Sequence, residues 1–182
     1  KQSLEVLKGT SGLQAGTSAP GGLLNLVVKR PRERVRDASV AWTQDGTLEA
    51  AFDVGARTEG IGWRVNANGA RLDPRTNDAR GRRLLAAGAV DARLGNNTLI
   101  EAEVEASRQS QPSVPGFSLL GSRLPNANDI DPRINLNNQA WTLPVVLQGT
   151  TASLRLRHAL SNDWRATVHA MTTVSTGGFA NY

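Results

Sequence analysis

The glutamates at alternate positions 101, 103 and 105 (Glu101, Glu103, Glu105) are the densest set of chemically capable side chains in the sequence. On a strand, alternate residues lie about 6.5–7 Å apart along one face, a separation that suits a carboxylate pair in hydrolysis. The same spacing arises on any strand with one charged face, and Arg64, Arg155 and Arg157 are available on other segments as partners. A wall of paired charges is therefore the expected reading. His158 and His169 are the only histidines. They fall on adjacent expected strands with opposite parity, so they do not build a metal site or hold a haem. No serine stands in a G-x-S-x-G elbow, and no G-x-x-x-x-G-K-[ST] phosphate loop is present. Neither an enzyme nor a cofactor is expected, and no catalytic or metal-ligating residue is assigned.

Those glutamates sit in the clearest of several segments with a two-residue period. From Thr98 to Ser107, Ile100, Ala102, Val104 and Ala106 share one face and the glutamates the other. A helix would scatter these residues, whereas a strand sorts them. Leu48, Ala50, Phe52, Val54 and Ala56 likewise oppose Glu49 and Asp53. Trp63, Val65 and Ala67 oppose Arg64, Asn66 and Asn68; Leu84, Ala86, Val90, Ala92 and Leu94 oppose Arg83, Asp91 and Arg93. Ala152, Leu154 and Leu156 oppose Ser153, Arg155 and Arg157, and Trp164, Ala166, Val168 and Ala170 oppose Arg165, Thr167 and His169. With a first strand through Ala38, Val40 and Trp42, seven strands are expected.

The connections alternate in length. Thr58 to Gly62, Gly95-Asn96-Asn97 and Ser161-Asn162-Asp163 are tight, whereas Asp73 to Arg82 and Arg108 to Thr150 are long. A soluble sandwich has no reason to gather its length at one end. Outer-membrane barrels do so, with short periplasmic turns and long extracellular loops. Trp42 falls near an outer strand end, and Trp63 and Trp164 near inner ones, as the aromatic girdles of such barrels require. No segment reaches the roughly 18 consecutive apolar residues of a spanning helix, which leaves a strand-built wall open.

Bulk composition narrows the choice further. Of 182 residues, 39 % are hydrophobic and 20 % charged, which excludes a disordered chain. Cysteine is absent, so disulfides, zinc knuckles and thiol chemistry are excluded. The net charge of +5 raises the question of nucleic acid, but the arginines are scattered among apolar residues, as in Arg155-Leu156-Arg157. With four Trp, three Phe and one Tyr there is little for bases to stack on, and no nucleic-acid partner is expected. The sequence begins at Lys1-Gln2 without a signal peptide, so it reads as an internal piece of a longer protein.

The glycine-rich opening adds a specific motif. From Leu4 to Pro31 the chain reads LEVLKGTSGLQAGTSAPGGLLNLVVKRP. This resembles the closing segment of the plug in TonB-dependent siderophore receptors, "IEVLRGPxGLLYGxGxPGGxVNLVTKRP". The match runs through Leu4-Glu5-Val6-Leu7, Gly9, Gly12-Leu13, Gly16, Pro20-Gly21-Gly22, Asn25-Leu26-Val27 and Lys29-Arg30-Pro31. The resemblance implies an all-β fold: a fragment of a plugged antiparallel transmembrane barrel, preceded by a short mixed α/β plug remnant. Residues 1–31 would end the plug and 32–182 would form about seven barrel strands, with a long extracellular loop near 108–150. Leu4 to Leu7 and Leu23 to Val28 would be buried strands of a small mixed sheet, and Pro31 would stop the second.

The function implied is TonB-dependent import of a ferric siderophore across the outer membrane of a Gram-negative bacterium. Its partners would be the ferric siderophore, outer-membrane lipid and the TonB complex, whose contact box lies upstream of the matched residues. The plug apex, Leu13, Gln14, Ala15 and Gly16, would touch the ligand. Thr10 replaces the family's proline, and Gln14-Ala15 its Leu-Tyr, so the phenolic contact of relatives is missing. Alternatives are a soluble β-sheet binding module, or a receptor of the same family for haem, cobalamin or a glycan. A passive porin would share the strands and lack the plug motif.

Overall fold

A computed structural model describes residues 2–9, 22–116, 121 and 126–178. Strands β3 (Arg34–Trp42), β4 (Leu48–Arg57), β5 (Ile61–Leu72), β6 (Gly81–Leu94), β7 (Thr98–Gln111), β8 (Val145–Ala159) and β9 (Arg165–Gly178) form one sheet in chain order. Every neighbouring pair is antiparallel. Before them, β1 (Ser3–Lys8) and β2 (Gly22–Val27) make a separate antiparallel pair.

The register sorts side chains as the alternation requires. Phe52, Ala67, Ala86, Ala106 and Thr150 lie in one cross-strand row, and Ala56, Trp63, Val90, Ala102 and Leu154 in another, all on one face. On the opposite face Arg57, Gly62, Asp91, Glu101, Arg155 and His169 are successive partners. His158 pairs with Thr98 on the apolar-side parity, so the histidines do point to opposite faces.

Burial is inverted relative to a water-soluble sheet. Among the described residues, the buried hydrophobics are Val35, Ala70, Ala79 and Ala89, while Asp53, Arg64, Asp91, Glu101, Asn135 and Ser153 are also buried. Phe52, Leu84, Val104, Leu154 and Val168 are exposed. An apolar face this broad marks a surface made for something other than water. A sheet with its charges inward and its apolar residues outward suits a wall between lipid and a polar lumen.

The two rims differ as expected. One carries the turns 58–60, 95–97 and 160–164; the other carries 43–47, 73–80 and 112–144. The longest loop is shorter than the expected 108–150, because β7 and β8 continue to the Gln111↔Val145 pair. Ser107 to Gln111 is polar on both faces, so its sequence carries no alternation to betray a strand. Glycine is required at one tight connection: Gly46, at φ +103°, closes the turn where its N–H donates to Thr43 O.

In the N-terminal pair, Asn25 Nδ2 donates to Glu5 Oε2 at 2.8 Å, and Leu4 and Val6 face Leu26 and Leu24. These strands are not buried: Leu4 is 56 % and Leu24 59 % exposed. Among the described residues they pair only with each other, and a two-stranded ribbon has no second layer to bury against. The described part of the expected α/β remnant is thus strand alone.

In the full-length protein, Ala86→Arg on the apolar face should destabilise refolding into vesicles by about 2–4 kcal/mol, whereas Ala87→Arg on the other face should have a much smaller effect. Denaturant titration by intrinsic fluorescence measures both; equal penalties would contradict the assignment of faces.

Candidate functional site

The buried charges gather where residues 28–33, the strap between β2 and β3, cross the polar face of the sheet. Two successive strap carbonyls have no strand partner, and wall arginines satisfy both. Arg64 Nη1 donates to Arg30 O at 3.0 Å, and Arg57 Nη2 donates to Pro31 O at 3.2 Å. Gly62 gives the strap room: a Cβ there would lie 2.8 Å from Pro31 Cβ. Pro31 itself is buried.

The strap's two cations are held in turn. Lys29 Nζ lies 2.5 Å from Asp53 Oδ2, and the same carboxylate takes two hydrogen bonds from Arg64, each 2.8 Å. Arg30 reaches three carboxylates, with Nη1 at 3.4 Å from Asp91 Oδ1, Nε at 3.8 Å from Glu101 Oε1 and Nη2 at 3.1 Å from Glu103 Oε2. The last is an ion pair without hydrogen-bond geometry. Asp91 also pairs with Arg57 and Glu101 with Arg157, while Ser153 Oγ donates to Glu103 Oε1 at 2.9 Å. Four carboxylates from β4, β6 and β7 thus meet six cations, two from the strap and four from the wall.

The expected partners of the glutamates are only partly those observed. Glu101 pairs with Arg155 and Arg157, but Arg64 serves Asp53. Glu101 and Glu103 stand as one charged face, and among the described residues no group of His, Cys, Asp or Glu is arranged to hold a metal. Leu13, Gln14, Ala15 and Gly16, the expected ligand contacts, lie outside the described residues. Sequence reasoning passed over Lys29, Arg30, Asp53 and Asp91 as a group. Their signal was available: a basic pair just before the first barrel strand, and acids at inward parity on the strands it crosses.

At the far rim the two longer loops are joined. Asn77 N donates to Arg133 O at 2.8 Å, Asn138 Nδ2 to Asp78 Oδ2 at 3.2 Å, and Gln111 Nε2 to Ala79 O at 2.9 Å. Asn135 is buried against this seam, with Nδ2 3.4 Å from Asp78 O. The Arg133 backbone N–H, donating to Asp131, holds that carboxyl below the usual carboxylate range. The longest loop is therefore tied to the loop beside it.

A fully antiparallel sheet preceded by a strand pair and a strap has counterparts among solved structures. The chain superposes on the siderophore receptor PiuA from Acinetobacter baumannii with a TM-score of 0.81 and 19 % identity, over 96 % of this chain and 26 % of that one. It has the fold of a TonB-dependent siderophore receptor. The ferripyoverdine receptor of the Pseudomonas aeruginosa outer membrane, bound to ferripyoverdine, matches at TM-score 0.70 and 21 % identity, over 91 % of this chain and 23 % of that one. In sequence, the ferric enterobactin receptor PirA of Pseudomonas aeruginosa is 31 % identical over 80 residues, 40 % of this chain and 11 % of that protein. No family model matches. The chain spans about a quarter of the solved receptors and about a tenth of the curated relative.

In the full-length protein, Arg64→Met leaves the Arg30 carbonyl unpaired and Asp53 with Lys29 alone, and should lower the free energy of unfolding by about 3 kcal/mol. Arg75→Ala, which removes the exposed pair with Asp45, should change it by about 0–1 kcal/mol. Denaturant unfolding in detergent compares them, and equal effects would contradict a buried latch.

Proposed function

We propose that this chain is the plug-to-barrel junction of a TonB-dependent importer of ferric siderophores in a Gram-negative outer membrane. The observation that carries the proposal is the latch itself. A barrel wall that devotes its buried charge to a crossing strap is built around a plug, and a passive porin needs none.

The chemistry is recognition and gating without covalent change. The ferric siderophore would be received at the loop-bearing rim, by residues 112–144 with 73–80 and by the plug apex at Leu13, Gln14, Ala15 and Gly16. Energy would come through TonB, acting on a segment upstream of these residues. The latch supports assigning the movement to the part of the plug that precedes the strap. Freeing the strap would leave Asp53, Asp91, Glu101 and Glu103 with fewer cations in a partly buried site, and removing one partner of a buried pair costs about 3–5 kcal/mol. The strap is therefore the stationary end, and rearrangement is confined to the plug that precedes it.

Support for the siderophore comes from the names of the similar receptors and from the Leu4 to Pro31 motif. Cells expressing the full-length protein should take up labelled iron from one member of a siderophore panel, and an uncoupler should abolish that uptake. Uptake that survives the uncoupler would contradict an energised receptor. Energised uptake of haem, cobalamin or a glycan, with none of any ferric siderophore, would keep the importer and replace its substrate.

A further inference from the structure

The latch pairs charges on the polar face, yet three arginines stand together on the apolar face at the loop-bearing rim. Arg71 and Arg82 are direct register partners of β5 and β6, in the row that also holds Trp42, Leu48 and Ser110. Arg108 lies two residues from Ser110 on β7, diagonal to Arg82. Diagonal neighbours in a sheet are about 7–8 Å apart, within reach of long side chains. All three are exposed, and each lies within a few residues of its strand's end at the loop-bearing rim.

Like charges placed directly opposite each other destabilise a sheet. On the polar face the cluster's counterparts are neutralised: Arg57, Arg64, Arg83, Arg155 and Arg157 each have a carboxylate. No carboxylate lies within ion-pair distance of Arg71, Arg82 or Arg108 among the described residues.

The surface beside them is shaped. A shallow apolar groove runs between two cross-strand rows, lined by Phe52, Ala67, Gly69, Leu84, Ala86 and Ala106, with Arg108 at its margin. Small residues form its floor. Leu84 leans across Gly69, where an added Cβ would lie 3.3 Å from Leu84 Cδ2. Cationic forks at the rim and an apolar trough next to them on the lipid side match an amphiphile with an anionic head.

We propose that Arg71, Arg82 and Arg108 bind the phosphate of a phosphorylated lipid of the outer leaflet, with an acyl chain in the groove beside them. The inference rests on the outer-membrane reading above. Guanidinium groups pair with phosphate oxygens bidentately, which suits a fixed head better than a diffuse counterion. The groove then gives the chain a defined seat, and the lipid neutralises a cluster that no described carboxylate compensates.

The test uses the full-length protein, extracted from outer membranes in mild detergent and titrated by native mass spectrometry. The probes are lipid A carrying its phosphates and the same lipid with them removed. The triple variant Arg71→Gln/Arg82→Gln/Arg108→Gln should lose affinity for the phosphorylated probe by about a hundredfold, and Arg82→Gln alone by about fivefold. The triple Arg→Lys variant should recover most of it, and the dephosphorylated probe should bind every form equally weakly. Arg34→Gln/Arg36→Gln, at the other rim, should bind like the wild type. Equal retention of the phosphorylated probe by wild type and the glutamine variants would overturn the site. So would an equal loss in the Arg34/Arg36 variant, which would indicate general charge attraction. A protein that does not fractionate with the outer membrane overturns both readings. If the triple variant does not fold, the single Arg82→Gln comparison decides.

Discussion

Arg64 holds the Asp53 carboxylate with two of its nitrogens and the Arg30 carbonyl with the third. Through that one guanidinium, neighbouring strands β4 and β5 and the strap that crosses them become a single unit. Lys29 reaches the same carboxylate from the strap side. Arg57 repeats the arrangement one row away, joining Pro31 O to Asp91. Remove these bonds and two strap carbonyls and several buried acids lose partners together. Polar groups out of water tolerate that badly, which gives the junction its rigidity.

The rest of the wall follows from the solvent it serves. Strands in lipid must satisfy every backbone group with a neighbour, and the β3–β9 order gives each inner strand, β4 to β8, a partner on both sides. Side chains then divide by parity alone. One parity supplies Phe52, Leu84, Val104 and Leu154 to the exterior; the other supplies Asp53, Asp91 and Glu101 to the interior. Cohesion therefore comes from the ladder and from inward charge pairs, and little of it from a conventional apolar core. The loops at the far rim add their own, since Asn135 and Asp78 bind the longest loop to its neighbour.

Much of this architecture was legible because a strand's period is two and charged side chains reveal the phase. Segments such as Leu99 to Ala106 and Leu48 to Ala56 show their faces without help. The tops of β7 and β8 did not, because Ser107 to Gln111 rises into a polar setting where neither face must be apolar. The latch was half legible. Lys29-Arg30-Pro31 stood in the motif and the acids stood at inward parity, but no local signal says which strands a strap will cross. The burial expected for β1 and β2 is not reached within the described residues, because apolar periodicity reports a face fit for burial and not the layer that covers it.

In the proposed importer the strap stays bound to the wall while the plug rearranges. These 182 residues contain no cysteine, and Pro31→Cys/Gly62→Cys places a pair where the two Cβ positions lie 2.8 Å apart. A slight outward shift brings that separation to the roughly 3.5–4.5 Å of a disulfide. In the full-length protein the bridge should form readily on oxidation, and the proposed energised iron uptake should continue at close to the reduced rate. A bridge that does not form would contradict the contact. Uptake that stops on oxidation and returns on reduction would show that the strap must leave the wall, and would contradict the account.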